Sequence, residues 1–539
     1  MTQNTRSYIF NNIKLPINAS FEEAFSVAKE KLNKLGVSLN ECDMRIFRRS
    51  TDARDKTKIV FVYSVIISGV FSDKDSEKLA KNGLTLLEDT VLDAKPGIET
   101  LAARPIIVGS GPCGIFAGLM LAEKGYRPVI IERGSSVRER KSAVLKFKND
   151  GILDLNTNIQ FGAGGAGTFS DGKLITRIND KASSYVMRKF VDFGAPSEIL
   201  YLARPHIGTD ILSNVVDKML RKIEELGGEV LYNTTYLDTY TKCGKHYVKT
   251  TKGNFECGAL ILAIGHSARD TYETLIAKGY SLEAKPISVG MRIEHLREEI
   301  DEALYGKFAG NKILGSAEYN LSYDTKNRGV YTFCMCPGGE VVPAASEECG
   351  LVVNGMSGSL RNGKNSNSAV VCSIFKEDYG STPMSAIEFQ RKIERAAFAS
   401  AGGNYAAPII TVGDFLADKL KNEPKKVLPT YRDGKYVKLT NPYEYLPDFV
   451  CDSIKNALLN FDKKIKGFAA DYAVLTGAET RTSAPIRILR NAETRLAVGK
   501  DYIYPCGEGA GYAGGITSAA IDGLKSAIAV IKRFKPFCE

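Results

Sequence analysis

Gly109-Ser110-Gly111-Pro112-Cys113-Gly114 carries three glycines at the spacing GxGxxG, directly after the apolar run Pro105–Val108 and before a helix expected to start near Pro112. Gly109 allows a tight turn, Gly111 lets a pyrophosphate approach the backbone, and Gly114 lets helix and strand pack closely. The start of that helix offers unpaired N–H groups and partial positive charge to phosphates. Pro112 in the first turn removes only an N–H that would be orphaned anyway, and Cys113 reads as a small residue within the turn. A second apolar run, Pro128–Ile131, ends at Glu132 and Arg133. A carboxylate about twenty residues past the glycines can accept both hydroxyls of a ribose and repels a 2′-phosphate. A dinucleotide other than NADP is the expectation.

Three further segments favour FAD over NAD. Leu260–Ile264 is a buried-strand run ending at Gly265, as where backbone passes a bound nucleotide. Gln160–Lys173 contains Gly164, Gly165, Thr168 and Ser170, and can wrap flavin or phosphates with backbone donors and hydroxyls. The strand-like Tyr502–Cys506 leads into Gly507-Glu508, then Gly514-Gly515 and an amphipathic helix from Ile516. That order sets Glu508 near a polyol chain and a helix N-terminus near an electron-withdrawing ring edge, which a flavin has and NAD lacks.

GSGPCG with Glu132, GAGGAGTFSDGKL, ILAIGHSARDT, CMCPGG and CGEGAGYAGGITSAAIDG together resemble the uncharacterised bacterial FAD-dependent (NAD(FAD)-utilizing) dehydrogenases of the two-dinucleotide-binding-domain flavoprotein superfamily. The resemblance covers most of the chain, including the N-terminal unit and its STDAR loop. It implies an FAD-dependent oxidoreductase with redox chemistry at flavin N5, on a substrate it does not name. The superfamily commonly has Asp at the ribityl-contacting position, where Glu508 stands here.

Protein groups must orient a flavin and handle protons. The four histidines are His206, His246, His266 and His295. His266 follows the nucleotide-adjacent strand and is read either as a proton donor with a pKa suited to neutral pH or as a residue that orients its loop. His206 is a near-cap residue, His246 sits in a polar turn and His295 ends a strand. Lys173 is the second catalytic candidate, with a simple Asp171–Lys173 salt bridge as the alternative. Cys334-Met335-Cys336 lacks the second pair that a structural zinc site needs, so no metal is expected. These are read as strand cysteines facing the flavin, or as functional thiols; Cys506 is placed nearer the ring than Cys113. Outside the segments assigned to the flavin no second GxGxxG occurs in strand–helix context. NADH or NADPH would therefore visit transiently, or a protein would donate the electrons.

The elements that must position these residues make an α/β chain. Its 539 residues exceed one ordinary core. The composition, 44% hydrophobic and 25% charged, is that of a globular protein. Residues 1–95 read as a ferredoxin-like α/β unit: a strand Ser7–Ile17, a helix Ser20–Leu35 with a Ser20/Glu23 capping box, strands at Asp43–Arg48 and Ile59–Val70, and a helix from Ser72 to about Leu87. The charged loop between the two hairpin strands, with Arg48, Arg49, Arg54, Lys56 and Lys58, is a solvated turn or an anionic docking patch. Asp93–Ala103 reads as a linker. Residues 104–286 and 485–539 form a Rossmann-like, glutathione-reductase-like FAD-binding domain, interrupted at 287–484 by a mixed α+β substrate domain whose VYTFCMCPGG and VVPAASEE runs help build a pocket. Lys and Arg exceed Asp and Glu by 72 to 62, a balance suited to a small anionic substrate rather than to nucleic acid. An RNA-modifying flavoprotein and an electron relay docking a partner through the N-terminal unit are the alternatives. Eleven irregularly spaced cysteines and no long apolar run indicate a cytoplasmic protein without a membrane segment.

Overall fold

The computed structural model describes residues 5–37, 42–87, 92, 94–176, 180–325 and 328–537; Asp93, the start of the expected linker, lies outside them. The first strand, Arg6–Pro16, leads to the helix Phe21–Lys34, which buries Ala24, Ala28 and Leu32. Its capping box is formed: Glu23 N donates to Ser20 Oγ and Ser20 N to Glu23 Oε1. Strands Asp43–Asp52 and Val60–Gly69 make the hairpin, and Asp73–Lys81 is the second helix. That helix stops earlier than expected. Gly83 takes a φ of 79°, and the chain turns into a fourth strand, Thr85–Leu87, which pairs with Ser7–Ile9. The antiparallel order, with the hairpin strands and Arg6–Pro16 followed by Thr85–Leu87 at the edge, is ferredoxin-like.

Half of the expected charged loop is strand. Arg49 donates its amide to Tyr201 O at 2.7 Å and accepts from Ala203 N at 2.9 Å, so 201–203 covers this sheet edge. The Arg49 guanidinium lies 4.7 Å from the Phe61 ring and 5.5 Å from the Tyr201 ring. Lys56 Nζ reaches Ala303 O and Arg54 pairs with Asp52, so these basic residues are engaged within the chain.

The central sheet is parallel, in the order Ile503–Pro505, Leu260–Leu262, Ile106–Val108, Val129–Ile131, Glu229–Leu231. Alternate side chains go to opposite layers. Ile107, Ile130, Ile261 and Tyr504 pack under the helices Pro112–Glu123, Thr209–Glu225 and Ile516–Arg533. Ile106, Val108, Val129 and Leu260 meet Tyr236 and Val248 of an antiparallel three-stranded sheet, and Tyr272 and Leu275 of the helix Arg269–Ala277. This is a Rossmann-like three-layer arrangement, closed by chain segments almost 400 residues apart in sequence.

A second, seven-stranded sheet lies between Ile287 and Glu479, in the order Ser322–Asp324, Gly329–Cys336, Asn365–Ile374, Ile287–Leu296, Val474–Glu479, Ala407–Thr411, Val437–Leu439. The helices Pro383–Ser400 and Asp448–Lys464 cover it through Ile393, Ala397, Val450, Ile454 and Phe461. Val342 and Ala344 of the VVPAASEE run pack with Ile159 and Phe169 in a small core, a correction to their expected place on a pocket wall. Among the described residues, no helix is long and apolar enough to cross a membrane.

Gly114 is where the first helix meets its strand: a Cβ there would sit 1.9 Å from Gly109 O. Gly114→Ala should cost about 3 kcal/mol in chemical denaturation of the cofactor-free protein. Gly514→Ala, where a Cβ meets nothing within 4 Å, should stay within about 0.5 kcal/mol.

Candidate functional site

A cavity of about 350 Å³ opens at the carboxyl ends of the parallel strands, between them and the seven-stranded sheet. In open α/β sheets this is where ligands sit. Two helices start on it. Pro112–Glu123 is capped by Gly111 and Ile516–Arg533 by Gly515, and neither has a side-chain cap or an acid in its first turn. Their first N–H groups and dipole ends therefore face the cavity without a partner from a capping side chain.

The glycines of the site divide by what requires them. Gly109 has a φ of 101°, and a Cβ on it would meet Ala263 O at 2.4 Å, so the protein's own backbone demands glycine. Gly111, with a φ of −73°, would meet only Gly165 Cα, at 3.8 Å. Gly514 and Gly515 would meet nothing within 4 Å, and the 173° φ of Gly515 is ordinary extended backbone. At these three positions, all on the cavity wall, a Cβ would have open space on the protein side.

Glu132, 5% exposed, ties the loops together. Its Oε2 accepts from Ser110 N at 2.9 Å and Ser110 Oγ at 2.7 Å, and its Oε1 from Gly134 N at 2.9 Å and Gly162 N at 3.0 Å. All four lone-pair sites of the carboxylate are thus used by protein donors, so a ribose at this wall would share them. Arg133 stands beside it, bidentate to Asp270 and 4.3 Å from the Phe161 ring. Arg140, which sequence reasoning passed over, complements Glu132. Fully buried, it donates to the carbonyls of Asn158, Ile159, Gly162, Ala163 and Gly165. Burial pulls its pKa down to about 9 against the opposing charge of Glu132.

Of the Gln160–Lys173 run, Gly165 and Ser170 line the cavity. Gly164 and Thr168 do not. Thr168 turns its hydroxyl toward Gly164 and is 1% exposed among apolar side chains, which corrects their assignment to the cofactor. Gly114 and Gly507 also serve packing instead of the ligand: Gly507 lies against Cys113 and donates its amide to Asp522 at 2.7 Å. The expected Asp171–Lys173 pair is loose, at 3.9 Å. Asp171 is held by Arg361 and Ser357, which leaves Lys173 Nζ to donate to Met335 O.

Pro112, Cys113, Gly265, Glu508 and Ile516 line the cavity, as do both catalytic candidates. His266 Nδ1 lies 2.9 Å from Ser267 Oγ. Burial, then the charges of Arg481 and Arg269, lowers its pKa to about 3. It is neutral at neutral pH, which corrects its reading as an acid tuned to that range and leaves the loop-orienting hydrogen bond. His206, His246 and His295 do not line the cavity; His246 stacks on Tyr502 and His295 Nε2 is 2.7 Å from Phe468 O.

The seven-stranded sheet adds Phe333, Cys334 and Glu479 to the wall, and the segment just after it adds Arg481. None of these but Cys334 was singled out in the sequence. The signal was Glu479-Thr480-Arg481, charged residues at the end of a fully buried strand. Glu479 accepts from Arg292 Nε at 2.8 Å, and burial pushes its pKa up to about 7. Arg481 is held by Glu394, which also binds Arg269. Burial likewise raises Glu508 to about 7, with Lys285 opposing.

Arg140→Ala leaves five buried carbonyls without their donor and should cost about 3–5 kcal/mol by denaturant titration. For Glu508 the raised native pKa means that stability is full below the unfolded value and declines as pH rises toward 7. In the cofactor-free protein, Glu508→Gln should flatten the fall in melting temperature between pH 5 and pH 8 relative to the parent.

Comparison with known proteins places this geometry. Residues 286–482 match the family described as FAD-dependent protein, C-terminal domain-like, and residues 9–68 match a domain of unknown function (DUF8436). An uncharacterized protein of Clostridium beijerinckii (strain ATCC 51743 / NCIMB 8052) is 45% identical over 528 residues, covering 96% of this chain and 98% of that protein. Among solved structures, CtdE in complex with FAD aligns over 79% of this chain and 84% of its own at 12% identity and a TM-score of 0.32. Glycine oxidase from Geobacillus kaustophilus aligns over 81% and 96% at 13% identity, also with a TM-score of 0.32. Superpositions that loose carry no argument about this chain. The sequence relationship does: the chain belongs to one family with the Clostridium beijerinckii protein and carries an FAD-dependent-protein C-terminal-like domain.

Proposed function

We propose that the protein is an FAD-dependent oxidoreductase of the dehydrogenase or reductase type, acting on a small organic molecule. The supporting observation is the set of three glycines, Gly111, Gly514 and Gly515, that nothing in the protein requires and that border one cavity at two uncapped helix starts. Gly111 and the amides after it suit a pyrophosphate. Gly515 and the start of Ile516–Arg533 suit the ring edge that gains negative charge on reduction. FAD supplies the redox chemistry.

The chain's residues orient and exclude. Glu132 and Arg140 hold the loop Asn158–Gly165 as one wall, and Phe333 and Cys334 close the cavity from the seven-stranded sheet. Glu479, with a pKa near 7, is poised to hold or release a proton there, whereas neutral His266 is not. NADH or NADPH serves as a visiting reductant, since the nucleotide turns present are occupied in this reading. A docked electron-donor protein is the other source.

The purified protein should be yellow and carry FAD, and anaerobic NADH or NADPH should bleach it. A colourless protein that takes up no added FAD refutes the proposal. Bleaching by neither nucleotide moves the donor to a protein. Gly111→Val should lose FAD by at least a hundredfold in affinity while the cofactor-free variant loses only about 1 kcal/mol, the difference between glycine and valine as an N-cap. Full FAD retention in that variant would displace the phosphates from this turn.

A further inference from the structure

Cys334-Met335-Cys336 ends the strand Gly329–Cys336, whose pairing with Asn365–Ile374 shifts register between Phe333 and Cys336. Cys334 occupies the left-handed region, with a φ of 44°, which a non-glycine residue adopts only when its surroundings impose it. Residues two apart on a strand share a face at a span of about 6.6 Å, at the upper end of what a disulfide bridges. Cys334 lines the cavity and Cys336 is buried behind it, its thiol donating to Cys334 O at 3.3 Å.

The surroundings are positive. Lys173 Nζ donates to Met335 O, between the two cysteines. Arg292, fully buried, donates to Cys334 O at 3.0 Å from Nη2 and sets Nη1 3.9 Å from Cys336 Sγ. Glu479 and Asn367 fix that guanidinium, each at 2.8 Å. Room is made for it at Gly355, where a Cβ would sit 1.6 Å from Arg292 Nη1. The Cys336 side chain beside it lowers the Cys334 pKa, and Arg292 and Lys173 act in the same direction, against burial and Asp171. A partly exposed thiol in a positive setting is the reactive kind. The other close pair is a contrast: Cys113 and Cys506 sulfurs lie 3.0 Å apart, but Cys506 is fully buried, Cys113 is 5% exposed at the cavity wall, and burial raises the Cys113 thiol.

We infer that Cys334 and Cys336 form a redox-active dithiol that exchanges two electrons with the flavin, an inference resting on the FAD assignment above. Two S–H bonds break and one S–S bond forms; the two electrons and two protons released pass to the oxidised flavin, which is reduced. An external dithiol, or two external thiols, returns the disulfide to two thiols and is itself oxidised to a disulfide. Cys334, at the cavity, is the sulfur that meets the incoming thiol; Cys336 leaves as the first thiol, and the second external sulfur then attacks the mixed disulfide and releases Cys334.

The test is an anaerobic titration of the FAD-loaded protein with dithiothreitol, followed by maleimide labelling and peptide mapping. Four electrons should enter per FAD in the parent and two in Cys334→Ser and Cys336→Ser, with FAD content unchanged in both variants. In the oxidised parent the peptide holding Cys334 and Cys336 should lose both labels together, and Cys113 and Cys506 should keep theirs under denaturing conditions. Uptake of two electrons by the parent, full labelling of Cys334 and Cys336 after oxidation, or a cross-link at Cys113–Cys506 instead would each overturn the inference. If the protein binds no FAD, the cofactor assignment fails and the exchange with it. The same mapping in dithiothreitol redox buffers then shows separately whether the two thiols pair without a flavin.

Discussion

Two opposite charges gripping one irregular loop are the constraint on which the rest of the site depends. The backbone of 158–165 is buried without belonging to a helix or strand, so its polar groups need partners from elsewhere. Arg140 supplies donors to its carbonyls and Glu132 takes the Gly162 amide, while also binding Ser110 and Gly134. Charge-assisted bonds of this kind offset the cost of burying both ions. The first glycine turn, the end of the second strand and the glycine loop are thereby held in one arrangement. The cavity wall follows from that knot.

Opposite this wall, the seven-stranded sheet contributes charge where the parallel sheet contributes backbone. Its buried arginines, Arg292 and Arg481, are each held by a carboxylate, Glu479 and Glu394. The helix starts at Gly111 and Gly515 leave positive partial charge on the other side. The cavity therefore has positive partial charge at its glycine side and two carboxylates, Glu479 and Glu508, whose pKa values burial raises to about 7, on its wall. Burial first, then the charges of Arg481 and Arg269, hold the His266 pKa well below neutral pH.

Local signals were read well where they act locally. The Ser20/Glu23 box formed as expected because capping needs only neighbours in sequence. Thr85–Leu87 was misread as helix because its only reason to be a strand is the edge offered by Ser7–Ile9, distant in sequence. Arg49 looked like part of a solvated loop for the same reason: its partner is Tyr201.

For the site, the sequence alone determined the glycine turns, the acid at the strand tip and the return of the C-terminal helix, since spacing encodes backbone geometry directly. Which glycines serve a ligand and which serve packing was decided in three dimensions. Gly111 and Gly114 look alike in a motif, yet one faces open space and the other the Gly109 carbonyl. Lys173 shares Asp171 with Arg361, keeping only a loose pair with it, and gained the Met335 carbonyl, and Cys334 reached the cavity through a bulge. Side-chain partners depend on which groups long-range folding brings within about 3 Å, and one-dimensional spacing does not contain that distance.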